Sequence, residues 1–223
     1  HQLLQTSNRQ ASRDQLTGLF NRAYFIEVME QTINTLRKDD GYCCLLLIDL
    51  DYFKTINDSL GHDVGDKLLI EVANRMRRLT GDQHVVARMG GDEFIVVGRL
   101  AANHGDCVRE AMRLAERLKD ALKATYAIER HNLPEGASIG VSVIHNPRQD
   151  ANRYIKEADI AMYEVKDKGR DGVVLFNDEV AERVEKNLEI ERLLYFALQN
   201  GELSLNYQPQ VDKANRIVGC EVL

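Results

Sequence analysis

The sequence has 223 residues, of which 44% are hydrophobic and 29% charged, and this composition excludes a wholly disordered chain. Its 35 acidic and 29 basic residues give a net charge of −6, which argues against a general nucleic-acid clamp because such a protein needs a basic face. The longest apolar run, Cys43–Ile48, is far shorter than the ~20 residues of a membrane-spanning helix. We therefore expect a globular protein without membrane contact from this segment, with either one full domain and part of another or two small domains.

The cysteines and the first residues indicate where the chain belongs. Cys43 and Cys44 would point to opposite faces of a strand, and neither Cys107 nor Cys220 completes a C-x-x-C pair. Reduced, buried thiols are the simpler interpretation, and they predict a cytoplasmic location. The chain opens without Met or a signal peptide, which predicts a segment of a longer protein that could be tethered to a membrane elsewhere.

Periodic apolar residues predict alternating helices and strands. In chain order these are a helix after Asn21-Arg22, a strand over Cys43–Asp49, a helix after the Gly61–Gly65 loop, strands over His84–Met89 and Glu93–Gly98, a helix over Val108–Leu122, a strand over Ala137–Ile144, a helix closed by Gly169 and a strand over Val173–Phe176. The Gly90-Gly91 pair between two strands is typical of a hairpin, because both residues can take positive φ.

The central order of strand, helix, hairpin, helix and strand is that of a ferredoxin-like or palm-like βαββαβ core. We expect an α+β fold over residues 14–177 with an additional helix and strand, an antiparallel or mixed sheet, and helices on one side of it. Residues 1–13 would end an incoming linker helix. After Asn177 the pattern predicts a charged linker helix over 178–200 and, within 201–223, short strands at Leu203–Tyr207 and Ile217–Leu223 that begin another domain.

Acidic residues concentrate where the predicted strands end. Asp49 and Asp51 close one strand, and Asp92 and Glu93 follow the glycine turn. If these strands are neighbours, the two clusters face one another, and oxygen ligands of this kind suit Mg²⁺ bound together with substrate phosphates. Strand capping or a turn would explain either cluster alone, whereas both together favour a metal and nucleotide site.

Five segments carry a family resemblance. They are Asp14–Arg22 (DQLTGLFNR), Asp49–Asp58 (DLDYFKTIND), Gly61–Asp66 (GHDVGD), Arg88–Phe94 (RMGGDEF) and Ala158–Arg170 (ADIAMYEVKDKGR). In this order they resemble the GGDEF-family diguanylate cyclases over residues 14–177, and five ordered motifs make a chance match improbable. The resemblance implies that two GTP molecules are joined into cyclic di-GMP with release of two pyrophosphates, in bacterial second-messenger signalling.

The resemblance also implies roles for the acidic residues. Asp49 and Asp92 would bind Mg²⁺, with Mn²⁺ as a possible substitute, beside the Leu50 carbonyl group. Glu93 would assist deprotonation of the 3′-hydroxyl group or help to hold a second metal. Two metals can stabilise both the attacking and the leaving oxygen of an in-line displacement.

Further residues would contact the substrate. Asn57 and Asp66 would read guanine, because a carboxylate can accept its N–H donors and an amide can meet its O6 acceptor. The implied phosphate contacts are Lys54, Lys166, Arg170 and backbone amides near Tyr52 and Phe53. The alternatives are that Asn57 caps a turn, that Asp66 is the N-cap of the next helix, and that Lys166 and Arg170 only complement a helix dipole. Each domain would bind one GTP, so catalysis would need a homodimer.

In the opening motif, a role in the loop and the helix start is at least as good an interpretation of Asp14, Thr17, Asn21 and Arg22 as catalysis. Many cyclases carry an inhibitory product site, R-x-x-D, shortly before the GGDEF segment. Here Gly81–His84 reads GDQH, so we expect cyclic di-GMP to inhibit weakly at most.

The C-terminal residues resemble a second family. Leu205–Gln210 (LNYQPQ) and Gly219–Leu223 (GCEVL) resemble the opening of an EAL phosphodiesterase domain, with Glu221 as its first metal ligand. We expect a parent protein with an upstream sensory region and a downstream EAL domain, and no hydrolysis by this segment alone. The alternative function is a GTP-binding regulatory module that controls the attached phosphodiesterase. A template-directed polymerase shares two-metal chemistry, but the acidic balance and the lack of a basic groove make it improbable.

Overall fold

The computed structural model describes residues 12–39, 41–145 and 149–222, and the chain divides into two compact units between Ala181 and Glu182. The elements of the first unit are β1 (Phe20–Asn21), α1 (Arg22–Asp39), β2 (Cys43–Leu50), α2 (Phe53–Leu60), α3 (His62–Thr80), β3 (Val85–Gly90), β4 (Glu93–Val97), α4 (His104–Lys123), β5 (Tyr126–Ile128), β6 (His131–Leu133), β7 (Ala137–Ile144), α5 (Ala151–Asp167) and β8 (Gly172–Leu175). The chain continues as α6 (Asp178–Gln199), β9 (Tyr207–Val211) and β10 (Ile217–Val222).

A six-stranded mixed sheet organises the first unit, in the order β1-β3-β4-β2-β7-β8. The outer pairs β1–β3 and β7–β8 are parallel, and the inner pairs are antiparallel. Strand β2 lies at the centre, where its last residues are paired on both sides. The predicted α+β, palm-like fold class is confirmed.

Helices cover both faces of the sheet, because every residue of β2 is buried and successive side chains of a strand point to opposite faces. On one face Leu46 and Ile48 pack in a core with residues of α3 and α4. On the other face Leu45 and Leu47 pack with residues of α1 and α5. The expectation of helices on one side was wrong, since the uninterrupted apolar run of β2 needs apolar cover on each face.

Two features differ from the elements predicted between residues 50 and 135. The region after β2 holds the short helix α2, and α3 begins at His62 rather than after Gly65, so the GHDVGD motif is helical from its second residue onward. Gly61, with φ of 90°, separates the two helices. The second feature is the hairpin β5–β6, whose three-residue strands are too short to give a periodic signal.

The second unit contains an antiparallel hairpin of β9 and β10. Its first strand is Tyr207–Val211, so the predicted strand over Leu203–Tyr207 was placed four residues too early in the sequence. Cys220 on β10 is exposed, whereas Cys43, Cys44 and Cys107 are free and buried, so the expectation of buried thiols holds for three of the four. Within the described ranges, no helix combines the length and apolar character needed to cross a membrane.

Candidate active site

Strand pairing brings the predicted metal ligands together at one end of β2. In the antiparallel β2–β4 ladder, Asp49 lies directly opposite Glu93. The Leu50 amide donates a hydrogen bond to the Asp92 carbonyl oxygen at 3.4 Å, which holds the glycine turn against the end of β2. The turn needs its glycines, since Gly91 has a φ of 52°. Asp49, Leu50, Asp92 and Glu93 therefore lie together at one end of the paired strands β2 and β4.

The electrostatics of this site are those of converging acids. Burial raises the pKa of Asp49 to about 6, Lys166 opposes the rise, and the charges of Asp92 and Glu93 add to it. The Lys166 Nζ atom lies 2.9 Å from Asp49 Oδ2. Burial also raises the pKa of Glu93, with contributions from Asp159 and Asp92 that Lys166 and Arg22 oppose.

This donor set fits a divalent cation. All its donor atoms are oxygens. At Glu93 the repulsion from Asp159 and Asp92 outweighs the attraction of Lys166, although Lys166 more than offsets the repulsion that Asp92 and Glu93 exert on Asp49. Among the described residues, no three or more His, Cys, Asp or Glu side chains are arranged around a single point. An open site of one or two carboxylates, completed by waters and phosphate oxygens, is the arrangement that Mg²⁺ uses at nucleotides.

The two predicted guanine readers lie on consecutive helices. Asn57 belongs to α2, and its Oδ1 atom is buried without a hydrogen-bond partner in the protein. A Cβ atom on Gly65 would lie 1.9 Å from that oxygen, so the glycine makes room for the amide. Asp66 is exposed and is the fifth residue of α3, so it is not the N-cap of that helix. The Asn57 Oδ1 atom accepts no hydrogen bond in the protein, so it does not cap a turn.

The predicted phosphate contacts lie at the start of α2 and at the end of α5. Tyr52 precedes the helix in a left-handed conformation, Phe53 is buried, and Lys54 is exposed. The first amides of a helix have no acceptor within it and can bind an anion. Lys166, in the last turn of α5, points at Asp49 rather than serving the helix end alone. Arg170 follows α5, and its guanidinium carbon lies 4.8 Å from the centre of the Tyr52 ring.

Two of the buried acids without a role assigned from the sequence, Asp51 and Glu135, lie near Asp49. Asp51 is 3% exposed and accepts hydrogen bonds from Ser138 Oγ at 2.7 Å and from the Asp171 amide at 3.0 Å. It therefore joins β2 to β7 and to the loop after α5. Glu135 is 4% exposed, and its Oε1 atom has no hydrogen-bond partner. The D-x-D pattern drew attention to Asp51, but a lone glutamate in a loop gave no signal for Glu135.

The opening motif braces the glycine turn. The Asp14 carboxylate accepts hydrogen bonds from the Thr17 amide at 2.9 Å and hydroxyl group at 2.6 Å, and from Arg88 at 3.2 Å. Arg88 also donates two hydrogen bonds to the Gly91 carbonyl oxygen, at 2.9 and 2.7 Å. Burial acts to raise the pKa of Asp14, but the hydrogen bonds from Thr17 and the charge of Arg88 outweigh burial, so the pKa is lowered.

The end of the opening motif starts α1. The Asn21 side chain accepts from the Tyr24 amide at 3.0 Å, which is an N-cap contact. Arg22 lines a cavity of about 320 Å³ together with Glu93, Lys156 and Asp159. The loop and helix-start role therefore accounts for Asp14, Thr17 and Asn21, whereas Arg22 faces the candidate catalytic glutamate.

Comparison with known proteins identifies relatives along most of the chain. A family profile described as "Diguanylate cyclase, GGDEF domain" matches residues 11–172. The cyclic di-GMP phosphodiesterase NbdA of Pseudomonas aeruginosa is 39% identical over 204 residues, which are 91% of this chain and 25% of that protein. The bifunctional diguanylate cyclase/cyclic di-GMP phosphodiesterase MucR of the same organism is 37% identical over 214 residues, 96% of this chain and 30% of that protein. The chain thus spans only a quarter to a third of these relatives.

Solved structures share the fold. The GGDEF domain of YfiN (TpbB) from Pseudomonas aeruginosa superposes with a TM-score of 0.69 at 29% identity, over 78% of this chain and 99% of that one. The coiled coil and GGDEF domain of DgcB from Caulobacter crescentus, solved in complex with c-di-GMP, gives a TM-score of 0.70 at 25% identity, over 78% and 90%. With the family profile matched over well more than half of its length, the chain belongs to the GGDEF family of diguanylate cyclase domains.

Proposed function

We propose that the first unit is an active diguanylate cyclase domain, which condenses two GTP molecules into cyclic di-GMP and two pyrophosphates across a homodimer. The observation that carries this proposal is the convergence of Asp49, Asp92 and Glu93 at the paired ends of β2 and β4. An intact set of acids with Lys166 among them is what nucleotidyl transfer requires.

Each residue then has a task. Mg²⁺, when bound by Asp49, Asp92 and the Leu50 carbonyl oxygen, would supply positive charge to the reacting phosphate oxygens. Glu93 takes the proton of the attacking 3′-hydroxyl group, a role that suits a carboxyl whose pKa is raised by burial. Asn57 and Asp66 bind the guanine edge, and Lys54, Lys166, Arg170 and the first amides of α2 orient the triphosphate.

Turnover of the purified chain tests the proposal. We expect cyclic di-GMP when the protein is incubated with GTP and Mg²⁺ and the nucleotides are separated by chromatography. Glu93→Gln should abolish the product while GTP binding persists, because the substitution keeps the shape but removes the proton acceptor. Absence of product from the unmodified dimer would overturn the proposed activity.

A second candidate function is a GTP-binding module that regulates an attached phosphodiesterase. It is favoured by the 39% identity to NbdA, which is named as a phosphodiesterase. The exposed apolar residues of the β9–β10 hairpin, Tyr207, Val211, Ile217, Val218 and Val222, agree with our proposal that residues 201–223 begin an EAL domain. Tight GTP binding without any product would support this second function.

A further inference from the structure

Tyr52 and Arg170 form an exposed pair at the mouth of the candidate site. The guanidinium carbon of Arg170 lies 4.8 Å from the centre of the Tyr52 ring, within the range of a cation–π contact. Arg170 is exposed, and Tyr52 is 62% exposed, so neither side chain is placed there by core packing. Burial of apolar surface therefore does not explain why the Arg170 guanidinium group lies against the Tyr52 ring.

Both residues have a backbone conformation that is unfavourable for any residue with a Cβ atom. Tyr52 has a φ of 60° and Arg170 a φ of 68°, in the left-handed region that favours glycine or asparagine. A bulky aromatic residue in this region is uncommon, and such conformations persist where the surroundings impose them, often at functional sites. Asparagine would fit the backbone at position 52 better than tyrosine does.

Asp51 explains how the two residues are brought face to face. It precedes Tyr52, and its Oδ2 atom accepts the amide hydrogen of Asp171, the residue after Arg170, at 3.0 Å. Its other oxygen accepts from Ser138 Oγ on β7 at 2.7 Å. The loop before α2 and the loop after α5 are thus held together by a buried carboxylate, which brings the residues next to Asp51 and Asp171 close to one another.

We infer that the Tyr52 ring is a positioning residue, which holds the Arg170 guanidinium group ready for the triphosphate at the first turn of α2. A free arginine side chain loses rotamer freedom when it binds an anion, and a ring that already confines it lowers this cost. The inference rests on the proposed function and deepens it, because it concerns the affinity of the same site for a polyphosphate.

Substitutions that separate ring, backbone and charge test the inference. Tyr52→Asn removes the ring in a residue suited to the backbone, so its melting temperature should not fall, while its affinity for GTP should drop about 2- to 5-fold. Tyr52→Phe keeps the ring and should recover the affinity lost in Tyr52→Asn. Affinity for GMP, which lacks the β- and γ-phosphates, should change less than affinity for GTP.

A double-substitution cycle shows whether the ring acts through the arginine. Arg170→Ala should weaken GTP binding more than Tyr52→Asn does, and combining them should give no loss beyond that of Arg170→Ala. Binding is measured by calorimetry in a Glu93→Gln background, so that no turnover occurs. Phe196→Ala is the matched control, because it removes the ring near Arg192 on α6 of the second unit and should leave GTP affinity unchanged.

Inorganic tripolyphosphate distinguishes failure of the inference from failure of the proposed function. If GTP binds but Tyr52→Asn matches Tyr52→Phe, or if the Tyr52 and Arg170 losses add, the inference is overturned and the proposed function stands. If tripolyphosphate binding depends on Tyr52 while GTP does not bind, the inference stands and the cyclase function is overturned. If neither probe binds, both are overturned.

Discussion

Glu135 is a carboxyl group enclosed beside the acidic end of β2. Burial raises its pKa to about 8, and the charges of Asp51, Asp92 and Asp49 contribute further. Its Oε1 atom has no hydrogen-bond partner in the protein. In the folded protein this group therefore stays protonated at neutral pH, whereas in the unfolded chain it ionises near pH 4.5.

This difference predicts how stability depends on pH. Between about pH 4.5 and 8 the folded state binds the proton and the unfolded state does not, so stability falls as pH rises through this interval. Glu135→Gln removes the titration, and at pH 8.5 it should be more stable than the unsubstituted protein by on the order of 1–3 kcal/mol. The two proteins should differ least near pH 4.5.

Urea unfolding at several pH values, in buffer free of divalent cations, measures the effect. Glu129→Gln is the control, because Glu129 is an exposed glutamate paired with Lys67 and has a lowered pKa. A Glu135→Gln stability curve parallel to that of the unsubstituted protein would contradict the assignment of a protonated carboxyl group.

Substitution of Gly65 by alanine should affect substrate recognition without destabilising helix α3. Alanine is favoured over glycine in a helix by about 1 kcal/mol, so Gly65→Ala should not unfold α3. Its Cβ atom would nevertheless lie 1.9 Å from Asn57 Oδ1 and displace the amide. We expect the KM for GTP to rise about 3- to 10-fold, the range for one lost hydrogen bond, with a smaller change in kcat.

Steady-state kinetics of Gly65→Ala, compared with Gly105→Ala in α4, checks this expectation. A Cβ atom on Gly105 would meet only Asn103 Oδ1, at 3.6 Å, so that variant should keep its KM. An unchanged KM in Gly65→Ala would show that Asn57 does not contact the base.

At the scale of elements, the β3–β4 hairpin depends on a brace outside the sheet. Arg88 joins the Gly91 carbonyl oxygen to Asp14, and the ion pair is largely shielded, with side-chain exposures of 13% for Arg88 and 23% for Asp14. Lysine cannot donate from two nitrogens at once, so Arg88→Lys should loosen the turn that carries Asp92. We expect kcat to fall about tenfold, with the KM for GTP nearly unchanged.

The matched control for Arg88→Lys is Arg99→Lys, since Arg99 donates a hydrogen bond to Gln83 at an exposed position and lies outside the site. It should retain full turnover. Loss of GTP binding rather than of kcat in Arg88→Lys would mean that the brace serves the substrate pocket instead of the metal ligands.

The segment before β3 bears on control by product. Gly81–Gln83 forms a single 3₁₀ turn, and the Gln83 Oε1 atom accepts from Arg99 at 2.9 Å. Gly81 has φ 58° and ψ −160°, a conformation open almost only to glycine, so an arginine could not take its place without strain. We expect added cyclic di-GMP to reduce the initial rate only weakly. Sub-micromolar inhibition that disappears in His84→Ala would contradict this.

Elements with strong patterns could be predicted, and those fixed by tertiary contacts could not. The apolar run of β2 and the Gly90-Gly91 turn gave the centre of the sheet and the meeting of Asp49 with Glu93. Helix α2 was missed because it is short and starts from the left-handed Tyr52, and Gly65 looked like a loop residue because its closeness to Asn57 is not visible in the sequence. The burial of Glu135 is likewise a property of the assembled fold.

At the scale of the whole molecule, one domain cannot complete the proposed reaction alone. Each site would hold one GTP. The cyclic dinucleotide would be complete only when two phosphodiester bonds have formed, one at each site. A dimer of two like domains would bring the 3′-hydroxyl group of each substrate to the α-phosphate of the other. The rate should therefore depend on the square of protein concentration when monomers dominate.

Mixed dimers give the sharper prediction. An excess of Glu93→Gln protein should capture most active chains in pairs with one working site, which can form one bond but not the second. The yield of cyclic di-GMP per active chain should fall severalfold. The linear dinucleotide, formed from two GTP molecules with release of one pyrophosphate, should accumulate, and nucleotide chromatography measures both products. An equal excess of Phe196→Ala, which leaves the site intact, should raise the yield instead. If cyclic product per active chain is unaffected by Glu93→Gln partners, the two sites do not act as a pair.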